Sequence, residues 1–179
     1  MRKVNIIFIL ILSIFLLGFN FLVENQFYKS IVIYIMINAI NASLLNILFG
    51  YTGVISLGQA AFFGIGAYTS GILTVHFGVN PFLTIIIGAL VAVVMAYIIG
   101  LPTLKLHGHY LAMATLGFGM IIYILFNEFV EYTGGPSGLT GISKLNIFGI
   151  LLDYENNIYI FLAILFIIFT IFLELFDKS

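Results

Sequence analysis

The sequence predicts an all-α fold, a polytopic bundle of about six transmembrane helices. Of the 179 residues, 63% are hydrophobic and 7% are charged. A soluble domain carries about 25% charged residues, so the six basic and seven acidic side chains present cannot cover a water-facing surface of this size. Lipid must surround most of the chain. The apolar runs are continuous, whereas the strands of a membrane β-barrel alternate apolar and polar residues, so helical spans are predicted.

Uncharged runs of sequence locate the predicted spans, because a charge at the bilayer centre costs about 2.5–3.5 kcal/mol on insertion scales. One crossing takes about 20 residues. The long uncharged stretch between Lys29 and Lys105 is divided by glycine-containing turn signals at residues 50–53 and 78–81. The prediction is a single transmembrane domain over residues 1–179, with spans near residues 4–23, 31–49, 53–77, 82–100, 110–129 and 158–176.

The basic residues are unevenly shared between the two sides of the predicted bundle. An even number of crossings places both termini on the same side. That side holds four basic residues and the other holds two: Arg2, Lys3, Lys105 and Lys178, against Lys29 and Lys144. By the positive-inside rule, the N-terminus is predicted to be cytoplasmic. The first apolar run is longer than the core of a secretory signal, so it is predicted to remain as an uncleaved helix.

Ionisable side chains are too sparse for most kinds of chemistry. The net charge of −1 argues against nucleic-acid binding, which takes a basic stripe. There is no cysteine, and His76, His107 and His109 are too few and too scattered for a metal site. No Asp, Glu, Lys or Arg occurs between Lys29 and Lys105. The chain is therefore predicted to be no enzyme and to hold no metal or cofactor.

Small residues recur at a spacing of four between residues 60 and 71. Helices in lipid gain little from the hydrophobic effect, and small residues let two helix backbones approach closely. The pattern predicts a helix-packing face, formed by Ala60, Gly64, Gly66, Ser70 and Gly71.

Two groups of polar residues are candidates for a solute pathway. The glycine-flanked segment 53–58 predicts a broken helix, where Ser56 and Gln59 can face a pathway. Gln59 is the more informative of the two, because its amide needs hydrogen-bond partners inside a bilayer. Asn38 and Asn41 share one face of the second span. They are interpreted either as contacts to neighbouring helices or as part of a polar pathway.

Four segments together resemble the LivH/LivM permease family of branched-chain amino-acid ABC transporters, and its LivM type in particular. The segments are residues 50–71, with SLGQAAF at 56–62 as their centre, LKLHGHYLA at 104–112, TLGFG at 115–119 and TGGPSGLTGI at 133–142. One segment alone is a weak signal. Their shared order and spacing, over most of residues 45–142, make the resemblance specific.

The resemblance implies a permease subunit of an ATP-driven importer in the plasma membrane of a prokaryote. Its implied partners are cytoplasmic ATPase subunits, a second related permease and an external binding protein that delivers leucine, isoleucine or valine. A urea or amide importer of the same superfamily is an alternative. A passive channel is another, although the charge rings of a channel are missing here. Because family members are longer, the chain is expected to be an N-terminal portion that inserts into the membrane but does not transport with these partners alone.

Overall fold

The computed structural model describes residues 6–23, 25–53, 56–103, 105–143, 146–147, 150–151 and 157–178. These residues are mainly helical. The elements are α1 (Ile6–Leu22), α2 (Gln26–Thr52), α3 (Gln59–Phe77), α4 (Pro81–Thr103), α5 (His109–Glu128), α6 (Val130–Thr133) and α7 (Asn157–Lys178), a 3-10 helix at Gly135–Ser137, and the two-residue strands β1 (Asn146–Ile147) and β2 (Ile150–Leu151).

Four helices within the described part of the chain are long and apolar enough to cross a membrane. They are Gln26–Gly50 of α2, Gln59–Phe77, Pro81–Thr103 and His109–Glu128. The apolar parts of α1 and α7, Ile11–Leu22 and Asn157–Leu173, are shorter. The prediction of a helical membrane protein with several spans is therefore confirmed.

One boundary differs from the sequence prediction. The sequence predicts a third span near 53–77, but α3 begins at Gln59. Gly53 has a φ of 65°, a left-handed conformation that ends α2, and Ser56, Leu57 and Gly58 are not helical. The predicted spans are located from uncharged runs of sequence. Residues 53–58 contain no charged residue, so this criterion could not separate them from the third span. Arg2, Lys3 and Lys144, which enter the orientation argument, lie outside the described residues.

The chain divides into two compact units, and the first comprises Met1–Leu44 and Ile150–Ser179. Its core is formed by Leu16 of α1, Met36 of α2, and Tyr159 and Ala163 of α7. Tyr159 is completely buried, and its hydroxyl donates a hydrogen bond to the backbone carbonyl of Leu16 at 2.9 Å. This bond joins α1 to α7, so the phenol is satisfied within the apolar core.

The second unit, Leu45–Gly149, contains α3, α4, α5 and the loop that follows them. Its core is formed by Ala61 and Ile65 of α3 and by Ile122 of α5. The turn between α3 and α4 is set by local chemistry. Gly78 adopts a φ of 63° at the end of α3, and the side-chain oxygen of Asn80 accepts a hydrogen bond from the backbone N–H of Phe82 at 2.9 Å. This turn places α3 and α4 side by side.

Candidate functional site

The candidate site is centred on the break between α2 and α3. The backbone N–H of Gly53 donates to the carbonyl of Phe49 at 2.9 Å and closes α2. Gly58 then caps α3, where its carbonyl accepts a hydrogen bond from the N–H of Ala61 at 3.0 Å. Between these two points, Leu57 donates its backbone N–H to the hydroxyl of Thr115 on α5 at 3.0 Å. The break therefore has a fixed attachment to the helix beside it.

The structure brings together two of the four predicted pathway residues. Ser56 and Gln59 are both half-buried and flank the buried Gly58, at the point where α3 begins. Asn38 and Asn41 lie on α2, within the first unit. The side-chain N–H group of Asn38 donates to the carbonyl of Tyr34 at 2.8 Å, and that of Asn41 donates to the carbonyl of Ile37 at 3.1 Å. Asn38 is exposed and Asn41 is half-buried.

One face of α3 lies against α4 at backbone distance. A Cβ atom at Gly88 of α4 would lie 2.5 Å from the carbonyl oxygen of Gly66. Further along α3, the hydroxyl of Ser70 is 2.9 Å from that of Thr84. The hydroxyl of Thr74 lies 3.1 Å from Thr84 and donates to the carbonyl of Ser70 at 2.8 Å. This α3–α4 interface combines close backbone packing with a buried hydroxyl cluster.

A different face of α3 lies against α5 and is lined with aromatic rings. Tyr68 stacks on Phe126 with ring centroids 4.2 Å apart, and Phe62 packs on Phe118 at 5.3 Å. A Cβ atom at Gly64 would lie 3.0 Å from the ring of Phe126. The α3–α5 interface is therefore built from side chains, whose rotation can adjust its fit.

Gly71 and Ala60 occupy different surroundings from the other small residues of α3. Gly71 is buried, and a Cβ atom there would lie 2.8 Å from the side chain of Leu139 in the loop after α5. Ala60 is exposed and lines an apolar groove of about 300 Å³ between α3 and α5. The groove is bordered by Leu57 and Gly64 on one side and by Leu116, Gly119, Met120 and Tyr123 on the other. No charged side chain lines it.

The loop after α5 is held by a second threonine. The hydroxyl of Thr133 lies 2.6 Å from the carbonyl of Phe126 and 2.8 Å from that of Phe129, and it accepts the N–H of Gly135 at 3.1 Å. Gly134 has a φ of 75°, and a Cβ atom there would collide with the carbonyl of Gly138. Among the described residues, no group of histidine and acidic side chains could hold a metal ion.

The sequence of the chain matches the model of a known family of transport proteins. The family model described as the permease component of the branched-chain amino acid transport system matches residues 27–179. The chain belongs to this permease family. The resemblance on the four sequence segments is thereby confirmed, and the match is to a family of permeases and not of enzymes.

Two relatives carry the same description. The chain is 41% identical over 106 residues to the high-affinity branched-chain amino acid transport system permease protein LivM of Escherichia coli strain K12. It is 40% identical over 106 residues to the protein of that name in Salmonella typhimurium strain LT2. Each match covers 59% of this chain and 25% of the relative, so the chain spans about a quarter of the length of the relatives it matches. No solved structure matches it significantly.

Reasoning from the sequence did not single out four residues that this permease chain uses to hold the site. Gly88, Thr84 and Thr74 form contacts between α3 and α4. The hydroxyl of Thr115 accepts the hydrogen bond from the N–H of Leu57 at the break. Thr115 stands in TLGFG, four residues before Gly119, and this small-residue spacing was a usable signal. The importance of Thr84 has no comparable signal, because it depends on a neighbour across the interface.

Proposed function

We propose that this chain forms part of the membrane pathway of an ATP-driven importer for branched-chain amino acids. The observation that carries the proposal is the break between α2 and α3, where Ser56 and Gln59 flank a non-helical turn between two membrane-spanning helices. Irregular backbone at membrane depth is tolerated only where it is buried in protein or lines a cavity. Family membership and the substrate in the names of both relatives support the assignment.

In this proposal, Ser56 and Gln59 offer polar groups to the solute where it passes α3. A hydroxyl and a carboxamide can each donate and accept a hydrogen bond, which suits the ammonium and carboxylate groups of an amino acid. Asn38 and Asn41, on the part of α2 that belongs to the first unit, contribute polar groups to the pathway in the same proposal. All four are uncharged, so each can contact a zwitterion without holding it too tightly to release.

The small residues of α3 have the packing role in the same proposal. Gly66 and Ser70 contact α4, and Gly64 contacts α5. Gly71 contacts Leu139 in the loop after α5. These short distances support a packing role for all four residues. Ala60 contributes by leaving room in the groove between α3 and α5. Their common function is to let α3 sit close to its neighbours while the break at its start stays open to the solute.

The proposed topology has six spans, α1 to α5 and α7, with both termini in the cytoplasm of a prokaryotic cell. The four long apolar helices support four of these spans, and the apolar character of α1 and α7 supports the other two. Reporter domains fused after Ser179 and within residues 138–143 are expected to report opposite sides of the membrane. If both report the same side, the number of spans is wrong.

The proposed partners are cytoplasmic ATPase subunits, a second related permease and an external binding protein. The partners are tested together with the function by reconstitution into proteoliposomes in two arms. One arm contains residues 1–179 with the partners, and the other also receives the remaining part of a family permease as a separate polypeptide. ATP-dependent uptake of leucine is expected only in the second arm. If urea is taken up and leucine is not, the substrate assigned to the importer changes from branched-chain amino acids to urea. If neither is taken up, the importer function is contradicted.

A further inference from the structure

The side chain of Thr115 attaches the described non-helical residues before α3 to α5. Its hydroxyl oxygen accepts the hydrogen bond from the N–H of Leu57 at 3.0 Å and donates its own proton to the carbonyl of Ala112 at 3.1 Å. Thr115 is buried. The hydroxyl therefore connects the break to a fixed point on α5 while remaining satisfied itself.

Gly58 fits against the same turn of α5. A Cβ atom at residue 58 would lie 3.1 Å from the carbonyl oxygen of Thr115 and 3.6 Å from the ring of Phe118. One turn further along α5, the missing Cβ of Gly119 would be 3.9 Å from the carbonyl oxygen of Leu57. Thr115 and Gly119 thus form a notch on α5, called here the α5 notch, that receives Leu57 and Gly58.

The attachment matters because the N–H of Leu57 precedes the helix cap and is no part of the α3 hydrogen-bond ladder. Water is scarce at membrane depth, so a backbone N–H there needs a partner from the protein. Leu57 directly follows Ser56 and stands two residues before Gln59. Fixing the Leu57 amide therefore fixes the backbone that orients both polar side chains.

The geometry points to Thr115 as a positioning residue for solute binding, acting through the Leu57 amide to hold Ser56 and Gln59 toward the pathway. This inference rests on the proposed pathway role of the two polar residues. In this role Thr115 acts through the backbone and not by touching the solute. Its hydroxyl accepts the N–H of Leu57 and donates its proton to the carbonyl of Ala112.

The test uses the complete importer of the second reconstitution arm. Because the chain has no cysteine, Ser56→Cys introduces a single thiol into it. A membrane-impermeant thiol reagent is applied with increasing leucine, and the leucine concentration that halves the labelling rate of this introduced thiol is measured. Uptake at saturating leucine and the amount of assembled complex are recorded in the same preparations.

Thr115→Val removes the acceptor for Leu57 while keeping the side-chain shape. A hydrogen bond of this kind changes the ratio of docked to undocked segment by roughly three- to tenfold. The half-protecting leucine concentration is expected to rise by that factor, and Thr115→Ser should restore it. Thr103→Val is the matched control, because within the described part of the chain the Thr103 hydroxyl donates to the carbonyls of Ile99 and Gly100 on its own helix.

A second perturbation comes from the other side of the contact. Gly58→Ala places a Cβ atom against the Thr115 carbonyl and should raise the half-protecting concentration like Thr115→Val. Gly117→Ala, whose Cβ atom would meet nothing within 4 Å, should leave it unchanged. If Thr115→Val does not assemble, the comparison of Gly58→Ala with Gly117→Ala decides.

The outcomes separate the inference from the proposed function. If the introduced thiol is not labelled, or leucine gives no protection with Thr115 in place, the pathway role of Ser56 fails and the inference falls with it. If the thiol is labelled and protected but Thr115→Val and Gly58→Ala leave the half-protecting concentration unchanged, only the positioning role of Thr115 is refuted. An equal rise with Thr103→Val would show a general loss of stability and would overturn the inference as well.

Discussion

Helix α3 meets its two neighbours in different ways. At the α3–α4 interface, the contacts that set the distance are backbone atoms, with Gly66 against Gly88, and three hydroxyl groups fill the space beyond them. Beyond the Leu57–Thr115 attachment, α3 meets α5 mainly through the rings of Phe118 and Phe126, which pack against Phe62, Gly64 and Tyr68. The same helix therefore meets α4 at backbone distance and meets α5 largely through rings that can rotate.

The difference between the two interfaces suggests which helices of the second unit can move relative to one another. A backbone contact has no rotamer to change, so α3 and α4 are expected to behave as one rigid pair. A ring can rotate or shift, so α5 can move relative to that pair at moderate cost. The polar break at the start of α3 is attached to α5 and not to α4. Motion of α5 would therefore reach Ser56 and Gln59 directly.

The largest effect is expected for Gly88→Ala at the α3–α4 interface. The added Cβ atom would lie 2.5 Å from the Gly66 carbonyl oxygen, and no side chain can turn away to relieve this contact. Overpacking of a core costs about 1–3 kcal/mol, and a backbone contact should lie at the upper end. Thermal unfolding in detergent measures the loss. Gly100→Ala, on the same helix with nothing within 4 Å, is the control and should be nearly neutral.

Thr84→Val should have the second largest effect. Thr84 is completely buried, and its hydroxyl contacts those of Ser70 and Thr74 and donates to the carbonyl of Pro81 at 2.9 Å. With the Thr74 proton donated to the carbonyl of Ser70, the Thr84 hydroxyl makes two hydrogen bonds at once, one donated to Pro81 and one accepted from Ser70. Hydrogen bonds between membrane helices average about 0.6 kcal/mol, so the loss of both should cost about 1 kcal/mol. Thr84→Ser keeps the hydroxyl and should retain most of the stability. Equal destabilisation by both would mean that the hydroxyl and the methyl group of Thr84 matter equally, and the hydroxyl cluster would lose its special role.

The sequence could predict the features that lie within one helix, but not which helix packs against which. The uncharged runs predicted the membrane helices but carried the third span through residues 53–58, where only the glycines indicated a broken helix. The spacing of four on α3 predicted that small residues would be needed for packing. It could not predict the neighbour, because a repeat within one helix carries no information about which helix faces it.

Particular residues illustrate that limit. Gly64 and Ala60 belong to the same spacing, yet Gly64 lies against Phe126 and Ala60 lines an open groove. Thr115 is 58 residues from Leu57 in sequence, and only the folded chain brings the two together. Local chemistry is readable from sequence, as at Gly78 and Asn80, whereas a contact over such a distance requires the tertiary structure.

A smaller effect is expected for Gly64→Ala at the α3–α5 interface. Its Cβ atom would lie 3.0 Å from the far edge of the Phe126 ring, which can yield by a small rotation. The cost should be below about 1 kcal/mol, smaller than that of Gly88→Ala, because a side chain absorbs the change. The same unfolding assay measures it, with Gly117→Ala of α5 as the control. A loss as large as that of Gly88→Ala would remove the distinction between the two interfaces.

The smallest expected effect is a coupling, and it tests the comparison most directly. Phe126→Leu removes the stack on Tyr68, with an expected loss of about 0.5–1.5 kcal/mol, but it also removes the ring edge that Gly64→Ala would meet. In the double variant Gly64→Ala/Phe126→Leu, the added cost of the alanine should therefore nearly vanish. The coupling should be roughly 0.5 kcal/mol, within the range for residues in contact.

The matching cycle uses Gly88→Ala with Phe126→Leu. Gly88 contacts Gly66 and Ser70 on the α4 side of α3, whereas Phe126 contacts Gly64 and Tyr68 on the α5 side. Substitutions without shared contacts usually add to within about 0.3–0.5 kcal/mol. Additivity here, together with coupling between residues 64 and 126, would establish the two interfaces as energetically separate. Coupling in both cycles would mean that α3 transmits strain from α4 to α5, and the rigid pair would then have to include all three helices.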